Sequence, residues 1–172
     1  DVDLAAGSGS LRCLVAAFGD PGHVFPAVSL ALALKGRGHD VILETWPQWQ
    51  GVVEGVGLGF VSADQYQVFP PPASGSPGAG QAAVALMRLL EEFRPDVVVN
   101  DILTVAPALA AEAHGCAWGT LIPHIYPVQD HGMPLFSVGG LPPRTGIGRG
   151  FWSFTERALK FGLERGRDDL ND

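Results

Sequence analysis

The 172-residue chain is poor in charge. Asp, Glu, Lys and Arg make up 17% of it, and 18 acidic against 11 basic residues leave a formal charge of −7. No basic cluster stands out, and a pI near 5.1 argues against nucleic acid, which is gripped through a cationic face. Cysteine is scarce. Cys13 and Cys116 each lie in an apolar stretch and read as buried core thiols, not as a disulfide or metal pair. The five histidines show no metal-ligand spacing. No apolar run reaches the roughly 18 residues of a membrane span. The opening DVDLAAGSGS has neither the basic n-region nor the apolar core of a signal peptide. Residues 1–10 are therefore expected to be a leader outside the fold, and the protein to be cytoplasmic. A dinucleotide loop is missing as well: GVGLGF at 55–60 alternates its glycines but has no long strand before it and no helix after it.

What is present is a globular composition, 47% apolar with a mean hydropathy of +0.19, leaning towards well-buried strands and helices. LRCLVAAF (11–18) is a continuous apolar run of strand length, as expected for a parallel strand covered on both faces. FPAVSLALALKGRGHD then reads as a helix with Pro26 in its first turn and Gly36 and Gly38 at its end. VILET (41–45) is a second strand, 46–56 a short helix or wrapped loop, and LGFVSA (58–63) a third strand. Residues 64–80, with three consecutive prolines and then Gly, Ser and Ala, read as a surface loop. A helix follows over 81–93, its apolar stripe carrying Ala82, Leu86, Leu89 and Phe93. DVVVN (96–100) is the fourth strand, 104–115 a helix with Thr104 as N-cap and Gly115 as its stop, and AWGTLIP (117–123) the fifth strand. From 124 to 150 there are only turns, and 151–170 is an amphipathic helix.

This alternation predicts an α/β fold: a Rossmann-like open parallel sheet with helices on both faces and strand order 3-2-1-4-5. Strands one and four then adjoin where the winding reverses, and ligands of such sheets bind outside the strand carboxyl ends at that point. His23 lies just beyond strand one, and Asn100 and Asp101 at the end of strand four. The topology brings His23 and Asp101 to one crevice. A carboxylate bonded to one imidazole nitrogen fixes the tautomer, and the other nitrogen is then able to take a proton from a hydroxyl. The plainer readings are a helix-start hydrogen-bonding group for His23 and a cap of the next helix for Asp101.

PGHVFPAVSLALALKGRGHDV, RPDVVVNDILTVAPALAAEAHG and AWGTLIP resemble the N-terminal half of GT-B glycosyltransferases of the UDP-glycosyltransferase and bacterial natural-product type. The likeness runs over residues 11–123. It implies an acceptor-binding domain over 11–150, and a helix over 151–172 that leads to a separate donor-binding domain. It further implies a hexosyl group transferred from a nucleotide-sugar, with inversion and without a metal, to a hydroxyl of a small apolar acceptor. By the same resemblance His23 is the base and Asp101 the carboxylate that orients it. This domain would bind no cofactor of its own and would be inactive without its partner domain.

Phe25, His124, Tyr126, Met133 and Phe136 are the acceptor-binding candidates, with His131 beside them; the large apolar ones among them also suit a satellite core under a loop. Trp46 and Trp49 suit core packing better than the crevice. His39 suits a packing or hydrogen-bonding role at the start of strand two, and His114 the dipole at a helix C-terminus. Two other functions stay open: a non-catalytic Rossmann-like module that binds a ligand or partner, and a GT-B relative such as a nucleotide-sugar epimerase.

Overall fold

Strands and helices alternate along the chain, as the apolar runs and their glycine and proline stops require. The computed structural model describes residues 9–63, 79–124 and 143–171. In order these are β1 (Arg12–Ala16), α1 (Pro21–Gly36), β2 (Asp40–Thr45), a 3₁₀ turn at Pro47–Trp49, α2 (Gln50–Gly55), β3 (Gly59–Ser62), α3 (Ala79–Phe93), β4 (Val97–Asp101), α4 (Val105–His114), β5 (Ala117–Leu121) and α5 (Gly146–Asn171). The proline-rich stretch expected to form a surface loop lies outside the described residues up to 78, and its last two residues already belong to α3.

All pairings are parallel and the strand order is β3-β2-β1-β4-β5. Ala16, at the carboxyl end of β1, stands between Glu44 of β2 and Asn100 of β4. Each face of the sheet has its own core, because successive side chains of a strand point to opposite sides. On one face Cys13, Val15, Val41 and Leu43 pack with Val24, Ala27, Val28 and Ala31 of α1 and with Val53 and Leu58. On the other, Leu14 and Val98 meet Ala82, Leu86 and Leu90 of α3 and Ala106, Ala110 and Ala111 of α4. Full burial of a Leu or Val side chain is worth about 1.5–3 kcal/mol, so these two layers hold the sheet. The stripe of α3 runs through Leu90, which is fully buried, with Leu89 and Phe93 partly covered at its border.

The cysteines divide. Cys13 is buried; Cys116 is only partly covered, and its thiol donates to the Pro95 carbonyl. Both are free. Burial, with Asp96 nearby, pushes both thiols up from their ordinary range. His39 Nδ1 accepts the Leu11 amide at 3.1 Å, the hydrogen-bonding role expected of it. GVGLGF is spread over the end of α2, a left-handed Gly57 and the start of β3, so it forms no phosphate loop.

The chain divides into two compact units, Asp1–Pro123 and His124–Asp172. The main described element of the second is α5, which starts at Gly146, before the Phe151 suggested by periodicity. The Thr145 hydroxyl accepts the Gly148 amide at its first turn, and Ile147, Phe151, Phe154 and Phe161 are exposed. Among the described residues no helix is long and apolar enough to cross a membrane.

Candidate active site at the carboxyl ends of β1 and β4

The site begins with a short connection. β1 stops at Ala16 and α1 starts at Pro21, earlier than the Phe25 expected from the apolar run. Pro21 takes the first helical position, where its missing N–H costs nothing. The Asp20 carbonyl receives the amides of His23 and Val24 at 3.0 and 2.9 Å. Pro26 therefore lies inside the helix and not in its first turn, which removes one intrahelical bond, the one to the exposed Gly22 carbonyl. His23 is thus on the first turn of α1 instead of in the preceding loop, and the helix sets its direction.

Asp101 is the last residue of β4, not the first beyond it. Strand alternation sends Val97 and Val99 to the α1 face and Val98 to the other, and Asp101 follows the first pair. Its carboxylate meets His23 Nδ1 at 3.0 Å through Oδ1 and 2.8 Å through Oδ2. Asp101 is fully buried, and the His23 side chain is 13% exposed. An ionised carboxylate has no proton to give, so with Asp101 ionised Nδ1 donates and the basic lone pair falls on Nε2. The contact joins residues 78 positions apart in sequence, through the strand order inferred from the chain alone.

The β4–α4 turn holds the carboxylate still. The Leu103 amide donates to Asp101 Oδ1 at 2.8 Å, so Asp101 also orders the start of the next helix, the plainer role weighed for it. Thr104 stands at the N-cap position of α4, yet its hydroxyl turns back to the Asp101 carbonyl at 3.0 Å instead of capping the helix. On the opposite face Asn100 donates to the Thr104 and Asp101 carbonyls, both at 3.1 Å, and accepts the Thr120 hydroxyl at 3.2 Å.

Aromatic residues wall the crevice. Phe18 meets His23 edge-on at 5.9 Å and Trp46 at 4.9 Å. A Cβ on Gly19 would overlap the Trp46 indole, so glycine is what lets that ring lie against the turn. Trp49 Nε1 donates to the Gly19 carbonyl at 2.7 Å, and its ring meets Phe25 at 5.4 Å. An open cleft is lined by Phe18, Glu44, Trp46, Leu103, Thr104 and Pro107, among others. Trp46 thus borders the cleft, where the sequence suggested core packing. The cleft adjoins the His–Asp pair through Phe18 on one side and Leu103 on the other.

Among the acceptor-binding candidates, Phe25 is 55% exposed beside Trp49. His124 is partly covered and begins the second unit. Tyr126, His131, Met133 and Phe136 lie outside the described residues. Glu44 was not singled out from the sequence, although an acidic residue inside VILET, at the carboxyl end of a strand beside the switch point, is a readable signal. Among the described residues no three of His, Cys, Asp and Glu gather as a metal site.

The fold is Rossmann-like α/β, and the solved structures it resembles include GT-B glycosyltransferases. The glycosyltransferase SnogD from Streptomyces nogalater superimposes with a TM-score of 0.51 and 25% identity, covering 66% of this chain and 36% of that one. Residues 13–122 match the glycosyltransferase family 28 N-terminal domain, and the chain belongs to that family. L-demethylnoviosyl transferase of Streptomyces niveus is 30% identical over 146 residues, 74% of this chain and 38% of that protein. A UDP-N-acetylglucosamine–N-acetylmuramyl-(pentapeptide) pyrophosphoryl-undecaprenol N-acetylglucosamine transferase of Methylobacterium sp. (strain 4-46) is 36% identical over 110 residues, 58% of this chain and 28% of that protein. The chain spans well under half the length of these relatives.

Proposed function

We propose that this chain is the acceptor-binding part of an inverting glycosyltransferase that moves a hexosyl group from a nucleotide-sugar to a hydroxyl of a small apolar molecule. The observation that carries the reading is the bond from His23 to the buried Asp101 beside an aromatic-walled cleft, within a domain of a glycosyltransferase family. The Streptomyces niveus relative, named as an L-demethylnoviosyl transferase, supports the reading as a glycosyltransferase.

In this mechanism His23 Nε2 takes the proton of the acceptor hydroxyl while Asp101 holds Nδ1–H and stabilises the imidazolium that forms. The acceptor oxygen attacks the anomeric carbon from the face opposite the nucleotide. The new C–O bond forms as the bond from that carbon to the diphosphate oxygen breaks, and the nucleoside diphosphate leaves with the electron pair. Configuration at the anomeric carbon inverts. The donor is held by a second domain, in line with relatives more than twice as long as this chain. Without it the reactants are not positioned together and transfer is lost.

The test is His23→Ala in the enzyme that joins this chain to a donor-binding domain. Transfer is expected to fall by about 10²–10⁴-fold, with the circular dichroism spectrum retained and the melting temperature lowered, because the buried Asp101 loses a hydrogen bond worth about 1–3 kcal/mol. A variant that keeps its rate removes His23 from the reaction.

A further inference from the structure

We infer that Asn100 is a positioning residue: it clasps the β4–α4 turn and so keeps the Asp101 carboxylate on His23. This rests on the reading of His23 as the base and adds to it a residue on the other face of the sheet. Asn100 is the fourth residue of β4 and only 4% exposed. Strand alternation places it on the α3/α4 face with Val98, while Asp101 turns to the α1 face. A parallel strand covered on both faces is filled by default with apolar side chains, and Val97, Val98 and Val99 obey this. A buried amide is costly unless it is bonded. Here its bonds go to the turn and to the neighbouring strand.

Both amide hydrogens are spent at opposite ends of the turn: Nδ2 donates to the Asp101 and Thr104 carbonyls, each at 3.1 Å. Oδ1 accepts the Thr120 hydroxyl of β5 at 3.2 Å, which anchors the amide to the next strand. The partners fix the orientation of the amide, since two carbonyls can only accept. Between those ends lie the bonds that hold the carboxylate. The Leu103 amide donates to Asp101 Oδ1 at 2.8 Å, and the Thr104 amide to the Asp101 carbonyl at 2.9 Å. An Asp side chain turns about only two torsions, and the Leu103 amide keeps the carboxylate from rotating off His23 Nδ1. That amide stays in place only while the turn keeps its shape. Thr104 closes the same turn with its own hydroxyl, but only onto the Asp101 carbonyl; Asn100 ties both ends to β5. The residue type suits the task. Asp in its place would aim a carboxylate at two carbonyls, and Leu, close in shape, would offer them no donor.

The test compares Asn100→Leu with Val98→Ala, a change on the same face of the same strand that opens a cavity and leaves the bonds of the turn intact. The ring tautomer of His23 is read by long-range ¹H–¹⁵N NMR of this chain. kcat and the acceptor KM are read in the enzyme that joins it to a donor-binding domain. Asn100→Leu is expected to weaken the Nδ1–H preference and to lower kcat about fivefold or more, with the acceptor KM unchanged. Val98→Ala is expected to lower the melting temperature and to leave the tautomer and kcat as in the wild type. Where Asn100→Leu does not fold, Asn100→Ser carries the same expectation, being small and polar but too short to reach both carbonyls. An unmoved tautomer in the Asn100 variant, an equal change in Val98→Ala, or a loss seen in KM instead of kcat would overturn the assignment. The tautomer is read without transfer. If it moves while His23→Ala keeps its rate, the functional reading fails and the positioning role stands; if it does not move while His23→Ala is inactive, the reverse holds.

Discussion

Two acidic side chains lie buried at the carboxyl ends of the strands that flank β1, and they turn to opposite faces of the sheet. Asp101 points to α1, where His23 and the Leu103 amide take up its oxygens. Glu44 points to the α3/α4 face and borders two openings. Both are nearly inaccessible, so burial alone does not separate them. The difference lies in what encloses each one. Asp101 is closed in by its own turn and by the first turn of a helix, so its bonds are fixed before any ligand arrives. Glu44 lines openings among the described residues on the other face. Two buried carboxylates at neighbouring strand ends thus sit in different surroundings: one is bonded by its own turn and a facing helix, the other lines a cleft.

The comparison breaks most sharply at Asp101. Asp101→Asn keeps the volume but places an amide against Nδ1. Transfer by the complete enzyme is expected to drop about 10²-fold or more, and the melting temperature to fall as a buried hydrogen bond worth about 1–3 kcal/mol is disturbed. An Asp101→Asn enzyme with the wild-type rate would show that the contact only orders the β4–α4 turn. A smaller effect is expected at the wall the two sides share. Gly19→Ala forces the Trp46 ring out of its place, an overpacking cost of about 1–3 kcal/mol. The melting temperature should fall by several degrees and tryptophan emission should move to longer wavelength. An unchanged spectrum and melt would mean that the ring has room to yield, and that the wall is softer than the geometry implies.

Much of this arrangement was legible in the chain. Continuous apolar runs such as LRCLVAAF and DVVVN marked parallel strands, their spacing set the order, and the order brought His23 to Asp101. The start of α1 was misjudged because PGHVFP holds two prolines, each suited to a first turn. The earlier one wins, since the Asp20 carbonyl is already placed to receive the His23 and Val24 amides. Thr104 has the residue type of a cap, but its hydroxyl finds a nearer acceptor in the Asp101 carbonyl, which only the folded turn supplies. Trp46 and Glu44 were harder still. Whether a tryptophan packs into a core or borders a cleft depends on Gly19 and Phe18 across the β1–α1 turn, and whether a strand glutamate is buried depends on the helices laid over it. Neither fact is local to its own segment.

The central claim, that Asp101 fixes His23 with its proton on Nδ1, is tested most directly by long-range ¹H–¹⁵N NMR of the histidine rings in this chain and in its Asp101→Asn variant. His23 is expected in the Nδ1–H tautomer in the wild type, with that preference lost in the variant. A wild-type His23 in the Nε2–H tautomer, or one indifferent to the substitution, would contradict the account.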